Sequence, residues 1–264
     1  MSTRLAACII TYNEADRIGA CLESLAFCDE IVVVDSGSTD GTAELAARLG
    51  ARVLHREFDG YRTQKQFAVD QAGCDWVLCL DADEVVGAPL RRSIEAAQAN
   101  GFADATGYRF ARCSEYHGRN LRHGNAYPDR VLRLFDRRQA GWHGDREIHE
   151  HVVNRGATRT LAGDLQHYPY RSFGHELDKL RGYARQMAQY RFDQGKQPSV
   201  AKMLASPVWI FLRGYVWRLG FLDGWRGLVY HLNGAAYSFH KELFLRDLHE
   251  QRRASAARIN LTQD

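Results

Sequence analysis

Three short polar clusters hold the residue types able to do chemistry: Thr11-Tyr12-Asn13-Glu14, Asp35-Ser36-Gly37-Ser38-Thr39-Asp40 and Asp81-Ala82-Asp83-Glu84. In the last, two carboxylates one residue apart at the end of an extended run point to the same side. They make a hard oxygen site suited to Mg2+ or Mn2+, and through the cation to a diphosphate. Helix capping needs a single acid, and these three stand too far ahead of the helix read at Pro89–Asn100 to serve as its cap. Asp35 also reads as a turn residue in a Ser/Gly loop. The chain has neither G-x-G-x-x-G nor G-x-x-x-x-G-K-[ST], so phosphate charge is expected to be met chiefly by a metal rather than by a glycine cradle. Further acids follow in Gly144-Asp145-Arg146-Glu147-Ile148-His149-Glu150. The histidines near them, His143, His149, His151 and His167, lack the H-E-x-x-H spacing of a zinc protease.

The elements that must position these clusters can be read from periodicity. Leu5–Thr11 and Glu30–Asp35 are Ile/Val-rich runs typical of buried parallel strands. Between them Ile18, Cys21, Leu22 and Leu25 recur at helical spacing. A second helix is expected over Gly41–Leu49, a third strand over Ala51–His55, a helix over Tyr61–Ala72 and a fourth strand over Trp76–Leu80. This alternation predicts a doubly wound α/β sheet, in which ligands sit outside the carboxyl ends of the strands. The three polar clusters stand at such ends. Strands are then expected over Thr106–Cys113, Arg130–Phe135 and Glu147–Val153, and helices over Ser172–Gln194, Val200–Leu219 and Leu228–Glu250.

Composition narrows the classes. With 264 residues, 45% hydrophobic and 25% charged, the chain is neither disordered nor a disulfide scaffold. Its six cysteines show no C-x-x-C pairing and read as reduced thiols of a cytosolic protein. Met1-Ser2-Thr3-Arg4 leads straight into Leu5–Ile10, with no signal peptide expected, and no run suits a spanning helix. The net charge of +3 hides an asymmetry: residues 171–264 hold 15 Lys/Arg against 8 Asp/Glu, leaving 1–170 at −4. A basic, aromatic-rich tail suits an anionic surface, and no nucleic-acid module or basic stripe accompanies it.

Three blocks carry a resemblance. Ile9-Ile10-Thr11-Tyr12-Asn13-Glu14, Val33-Val34-Asp35-Ser36-Gly37-Ser38-Thr39-Asp40-Gly41-Thr42 and Trp76-Val77-Leu78-Cys79-Leu80-Asp81-Ala82-Asp83-Glu84 together resemble the family 2 glycosyltransferases of GT-A fold over about residues 4–100. Tyr127–Phe135, Ile148-His149-Glu150, His167–Ser172 and Gly220–Gly224 are similar to a narrower bacterial group containing β-glucosyltransferases of the lipopolysaccharide inner core. The resemblance implies an α/β, Rossmann-like mixed sheet with a C-terminal helical extension. It implies a GT-A catalytic domain at 1–170, divided into a nucleotide-sugar half at 1–100 and an acceptor-side half at 101–170. The extension would span 171–264.

For the residues, it implies that Thr11, Tyr12 and Glu14 line the base and ribose pocket and that Asp35 accepts from the base. Gln64 and Lys65 would face the nucleotide. Asp81 would sit near ribose or metal-bound water, Asp83 would ligate the metal, and His167 would close its coordination sphere or bind the diphosphate. A packed structural histidine is the other reading of His167. Inversion requires a general base, with Glu150 the first choice and Glu147 or Asp145 next. Glu84 ranks behind them, set to orient the metal acid or the donor sugar. Arg130 and Arg133 fit either an anionic acceptor or a half-exposed strand.

The expected partners are a nucleotide-sugar donor, UDP-glucose favoured, and a lipid-anchored glycan acceptor, with Mg2+ or Mn2+ as cofactor. Pro207–Leu219, with Trp209, Trp217, Arg213 and Arg218, reads as a helix lying in a membrane interface, or else as one packed on the catalytic domain or on a second subunit. An anionic surface at the cytoplasmic face of the bacterial inner membrane is the expected setting. Other readings are a transferase for a capsule or exopolysaccharide lipid intermediate, and a non-catalytic nucleotide-sugar-binding scaffold.

Overall fold

The computed structural model describes residues 3–143 and 150–261. Its chain divides into two compact units, one of residues 1–115 and 128–168, the other of 116–127 and 169–264. The sequence reading places 116–127 with the sheet; it packs among the helices of the second unit instead.

The first unit is built on a mixed eight-stranded sheet of order β3-β2-β1-β4-β7-β6-β10-β5. Its parallel half comprises β1 (Leu5–Thr11), β2 (Glu30–Asp35), β3 (Arg52–His55) and β4 (Trp76–Asp81). The other half comprises β5 (Glu84–Val86), β6 (Gly107–Ser114), β7 (Asp129–Asp136) and β10 (Thr158–His167); β8 (Ala140–His143) and β9 (His151–Asn154) form a separate ribbon. The central strands are apolar throughout because both faces are covered. Successive side chains alternate sides. Thus Leu5, Ala7 and Ile9 of β1 join Leu78 and Leu80 in one core, against α1 (Ile18–Ser24), α2 (Thr42–Arg48) and α4 (Ala88–Ala99). Ala6 and Cys8 join Val77 and Cys79 in the other, against α3 (Tyr61–Gln71) and Trp142 of β8. Trp76 stacks on Phe102 at 4.2 Å between ring centres and closes the first core. All six cysteines are free thiols.

Strands β5, β8 and β10 are absent from the sequence reading. β10 has one fully buried side chain, Leu165, and a register shift between Thr160 and Asp164, so no two-residue alternation marks it. Gly163 allows that shift: it sits at φ +98°, and a Cβ there would fall 2.3 Å from the backbone of Leu90.

The second unit contains α5 (Phe173–Asp193), α6 (Val200–Phe211) and α7 (Gly224–Leu261). Ser172 and Ser199 cap α5 and α6 by accepting from the amides of His175 and Lys202. Over Val200–Leu219, expected as a single helix, the winding changes: Pro207 lies inside α6 and a wide π turn covers Leu212–Trp217, with a 3₁₀ turn following at Gly220–Asp223. The π turn packs against His231. A Cβ at Gly214 would lie 2.1 Å from that ring, and one at Gly124 would lie 2.3 Å away. The ring itself is held between the Gly227 carbonyl at 2.7 Å and the Asn125 amide at 3.3 Å. The 116–127 segment is anchored by two buried acids. Asp223 accepts from the amides of Arg122 and His123, and Glu176 accepts from the Tyr116 hydroxyl and the Asn233 amide.

Candidate active site

Register puts the polar clusters side by side. β1 lies between β2 and β4, with Thr11 opposite Asp35 and Ile10 opposite Asp81, so three carboxyl ends open on one edge of the sheet. The first two loops are stitched together there. The Asn13 amide donates to Ser38 Oγ and the Thr39 amide to Asn13 Oδ1, both at 2.9 Å, while the Glu14 amide donates to Thr42 Oγ1. Asn13 takes a left-handed φ of +54° to make this turn. Asp35 is buried and accepts from the amides of Gly37 and Ser38 at 2.9 Å, ordering its own loop. Thr11 Oγ1 is buried with no hydrogen-bond partner among the described residues. Tyr12 projects with 58% of its surface exposed, leaving a ring face open at the mouth of the edge.

Gln64 is fully buried, its amide donating to Ser36 Oγ and the Arg56 carbonyl, so it braces the loop after β2. Lys65 turns toward the acids instead, with Nζ 2.9 Å from both Asp81 Oδ1 and Glu150 Oε1, above the Trp142 ring.

Asp81, expected near ribose or metal-bound water, is held by two cations. Its Oδ1 is taken by Lys65, and its Oδ2 accepts from Arg133 at 3.0 Å. Burial opposes its ionisation, but the Lys65 and Arg133 charges outweigh burial and hold the carboxyl well below the usual carboxylate range. It is a paired anion, with one cation on each carboxylate oxygen. Arg133 is likewise an internal cation, buried over Trp142 and shared with Glu84 at 3.7 Å, rather than an acceptor contact on a half-exposed strand. Glu84 is itself completely buried, accepts from Arg112 at 3.2 Å and takes the Asp81 amide at 3.0 Å. It orients the acid turn through these bonds.

Asp83 and His167 face each other, Oδ2 to Nε2, across 3.7 Å. Strand pairing brings them together. β10 pairs with β5 so that His167 lies opposite Glu84, and the Tyr168 amide donates to the Asp83 carbonyl at 2.9 Å. His167 Nδ1 is 3.0 Å from Ser114 Oγ. Asp83 and His167 are the described side chains that would hold a divalent cation at this edge. Among the described residues no group of three or more His, Cys, Asp or Glu forms a metal cage. A carboxylate and an imidazole side by side are donors that would fit a divalent cation, with phosphate and water completing its shell.

Glu150 is brought to this edge by its ion pair with Lys65; Glu147 and Asp145 lie outside the described residues. Two contributors escape the sequence reading. Arg17 Nη1 is buried without a hydrogen-bond partner among the described residues, 3.8 Å from Asp83 and 3.6 Å from Glu14. The phenol of Tyr61 is pushed up by burial and then by the charges of Asp81, Glu150 and Asp83. A cation two residues after Asn13-Glu14-Ala15 is the available signal for Arg17.

The family described as "Glycosyl transferase family 2" matches residues 6–166. The chain is 34% identical over 247 residues to the lipopolysaccharide core biosynthesis glycosyltransferase LpsC of Rhizobium meliloti (strain 1021), covering 89% of each chain. It is 30% identical over 255 residues to an uncharacterized glycosyltransferase of Rickettsia prowazekii (strain Madrid E), covering 93% of this chain and 87% of that one. Among solved structures it is similar to the mannosyltransferase PcManGT from Pyrobaculum calidifontis, in complex with GDP-Man and Mn2+. There the TM-score is 0.53 at 17% identity, over 93% of this chain and 87% of that one. That likeness shows the fold, a GT-A-like mixed α/β sheet followed by helices.

Proposed function

The chain belongs to glycosyl transferase family 2, and on that premise we propose that it moves a hexose, with inversion, from a UDP-sugar to a lipid-anchored bacterial glycan of the lipopolysaccharide core. The observation carrying this reading is the Asp83–His167 pair at the carboxyl edge of the sheet, with Glu150 held on the same edge by Lys65. The similarity to LpsC supports the choice of acceptor, and UDP-glucose is the favoured donor. The first unit carries the donor chemistry, and the chain works peripherally at the cytoplasmic face of the inner membrane.

In this reading Tyr12 packs on the base, Glu14 and Asp35 accept from ribose and base, and Arg17 stands by the diphosphate. Mn2+ or Mg2+ held by Asp83 and His167 would supply charge that stabilises the leaving diphosphate. Glu150 takes the proton of the acceptor hydroxyl as its oxygen bonds to the anomeric carbon, while the bond from that carbon to the diphosphate breaks and its electron pair leaves with UDP. Lys65 donates to Glu150 and holds it at this edge, and Arg133 with Lys65 keeps Asp81 ionised.

Titration of the chain with a panel of nucleotide sugars, each with Mn2+ and with EDTA, tests the reading. A response to one UDP-sugar that EDTA abolishes is expected. A nucleotide response indifferent to EDTA would remove the metal, and failure to transfer from any donor to core acceptors would favour the scaffold.

A further inference from the structure

The second unit carries an apolar face that its own core does not use. Val200, Leu204, Val208, Leu212 and Val216 recur at intervals of four along α6 and the π turn, and with Trp209 and Trp217 they are 46–74% exposed. No residue of α6 is fully buried. Its opposite face, with Met203, Ser206 and Ile210 half-buried, packs on α7. Trp209 and Trp217 meet edge to face at 6.0 Å, so the two largest side chains form one projecting block.

The charges beside this ridge are of one sign. From Gln194 to Leu222 the chain has no Asp or Glu, but it has Lys196, Lys202, Arg213 and Arg218. Such a surface distinguishes among partners. A second copy seated on it about a two-fold axis would set these cations against their own counterparts with no acid in the segment to pair them. A nucleic acid would meet the cations and leave the ridge in water. An anionic bilayer meets both, because Trp and aliphatic side chains enter the headgroup boundary while Lys and Arg stay at the phosphates.

We propose that α6 and the π turn form the membrane-docking element of this protein, lying flat in the interface of an anionic phospholipid bilayer with Trp209 and Trp217 inserted. This deepens the reading of a lipid-anchored acceptor and rests on it for its purpose, since docking here would hold the enzyme on the surface that carries the acceptor. The wide π turn suits the role: it keeps Leu212 and Val216 in line with the α-helical part of the ridge while Gly214 stays tucked against His231.

The test is flotation of the full chain with vesicles of phosphatidylcholine alone and of equal parts phosphatidylcholine and phosphatidylglycerol. Binding to the anionic vesicles only is expected, weakening as salt is raised towards ~1 M, where the Debye length falls to ~3 Å. Trp209→Ser with Trp217→Ser should lower partitioning by about tenfold or more, and Lys202→Glu with Arg213→Glu should abolish it. Both variants change exposed side chains and should melt like the unsubstituted chain. Equal binding by the variants, no binding by the unsubstituted chain, or a dimer that the Trp variant dissolves would each overturn the proposal. Donor titration without vesicles reports separately on the glycosyltransferase reading: intact donor binding with no flotation defeats the docking element alone, and flotation without donor binding defeats the enzyme reading alone.

Discussion

Replacing one carboxylate oxygen of Asp83 by an amide nitrogen keeps the side chain's size and removes its charge. Asp83→Asn is expected to abolish turnover and to make donor binding indifferent to Mn2+, read by calorimetry with and without EDTA; retained metal-dependent binding would return the ligand role to another acid. Glu150→Gln should lower kcat by roughly 10²–10⁴-fold with donor affinity near normal, measured as a split between kcat and donor Kd. A silent substitution would move the base to Glu147 or Asp145. Asp81 differs in kind. Its carboxyl is held below its ordinary value by Lys65 and Arg133, so the stability from that pairing is complete above the ordinary carboxylate value of about 3.9. It is lost as pH falls through the folded value. Asp81→Asn should therefore cost on the order of 1–3 kcal/mol at pH 7, and urea melts from neutral to acid pH should show a flatter acid limb in the variant. Most of these residues are visible in the sequence, since acids at strand ends announce themselves. The partners of Asp81 are not, because Lys65 of α3 and Arg133 of β7 converge from separate elements.

Elements differ in how plainly they are written. β1, β2 and β4 are legible almost to the residue because burial on both faces demands uninterrupted apolar runs. β10 is not, although it delivers His167. Its pairing partners, β5 and β6, support it through backbone hydrogen bonds rather than through a buried stripe. The π turn after α6 is equally hidden, because it packs on His231, which reaches Gly214 from α7. Gly214→Ala tests that account. A methyl 2.1 Å from a confined ring cannot be accommodated without moving the π turn, and a loss of about 2–4 kcal/mol is expected. A denaturant midpoint within error of the unsubstituted chain would mean the ring has room to shift.

The charge divides along the chain, with residues 1–170 at net −4 and residues 171–264 at net +7. No helix among the described residues is long and apolar enough to cross a membrane. If the donor binds the first unit as proposed, donor with Mn2+ stabilises that unit by about 2.7 kcal/mol at 100 times Kd, equivalent to about 5–10 °C, since each kcal/mol moves the midpoint of a 150–250-residue body by ~2–4 °C. Scanning calorimetry should show this shift and its loss in EDTA; an equal shift with EDTA would place the donor without the metal.

The sequence by itself determined the α/β pattern, the three polar strand ends, the acid pair and the basic aromatic tail, because each is a local arrangement written in neighbouring residues. Tertiary structure decided which groups each acid meets. It committed Asp81 to Lys65 and Arg133, set Asp83 across from His167, turned Gln64 inward and moved 116–127 into the helical unit. These outcomes depend on contacts between residues tens of positions apart, and the electrostatic competition for each carboxylate is settled by distance in space rather than by spacing along the chain.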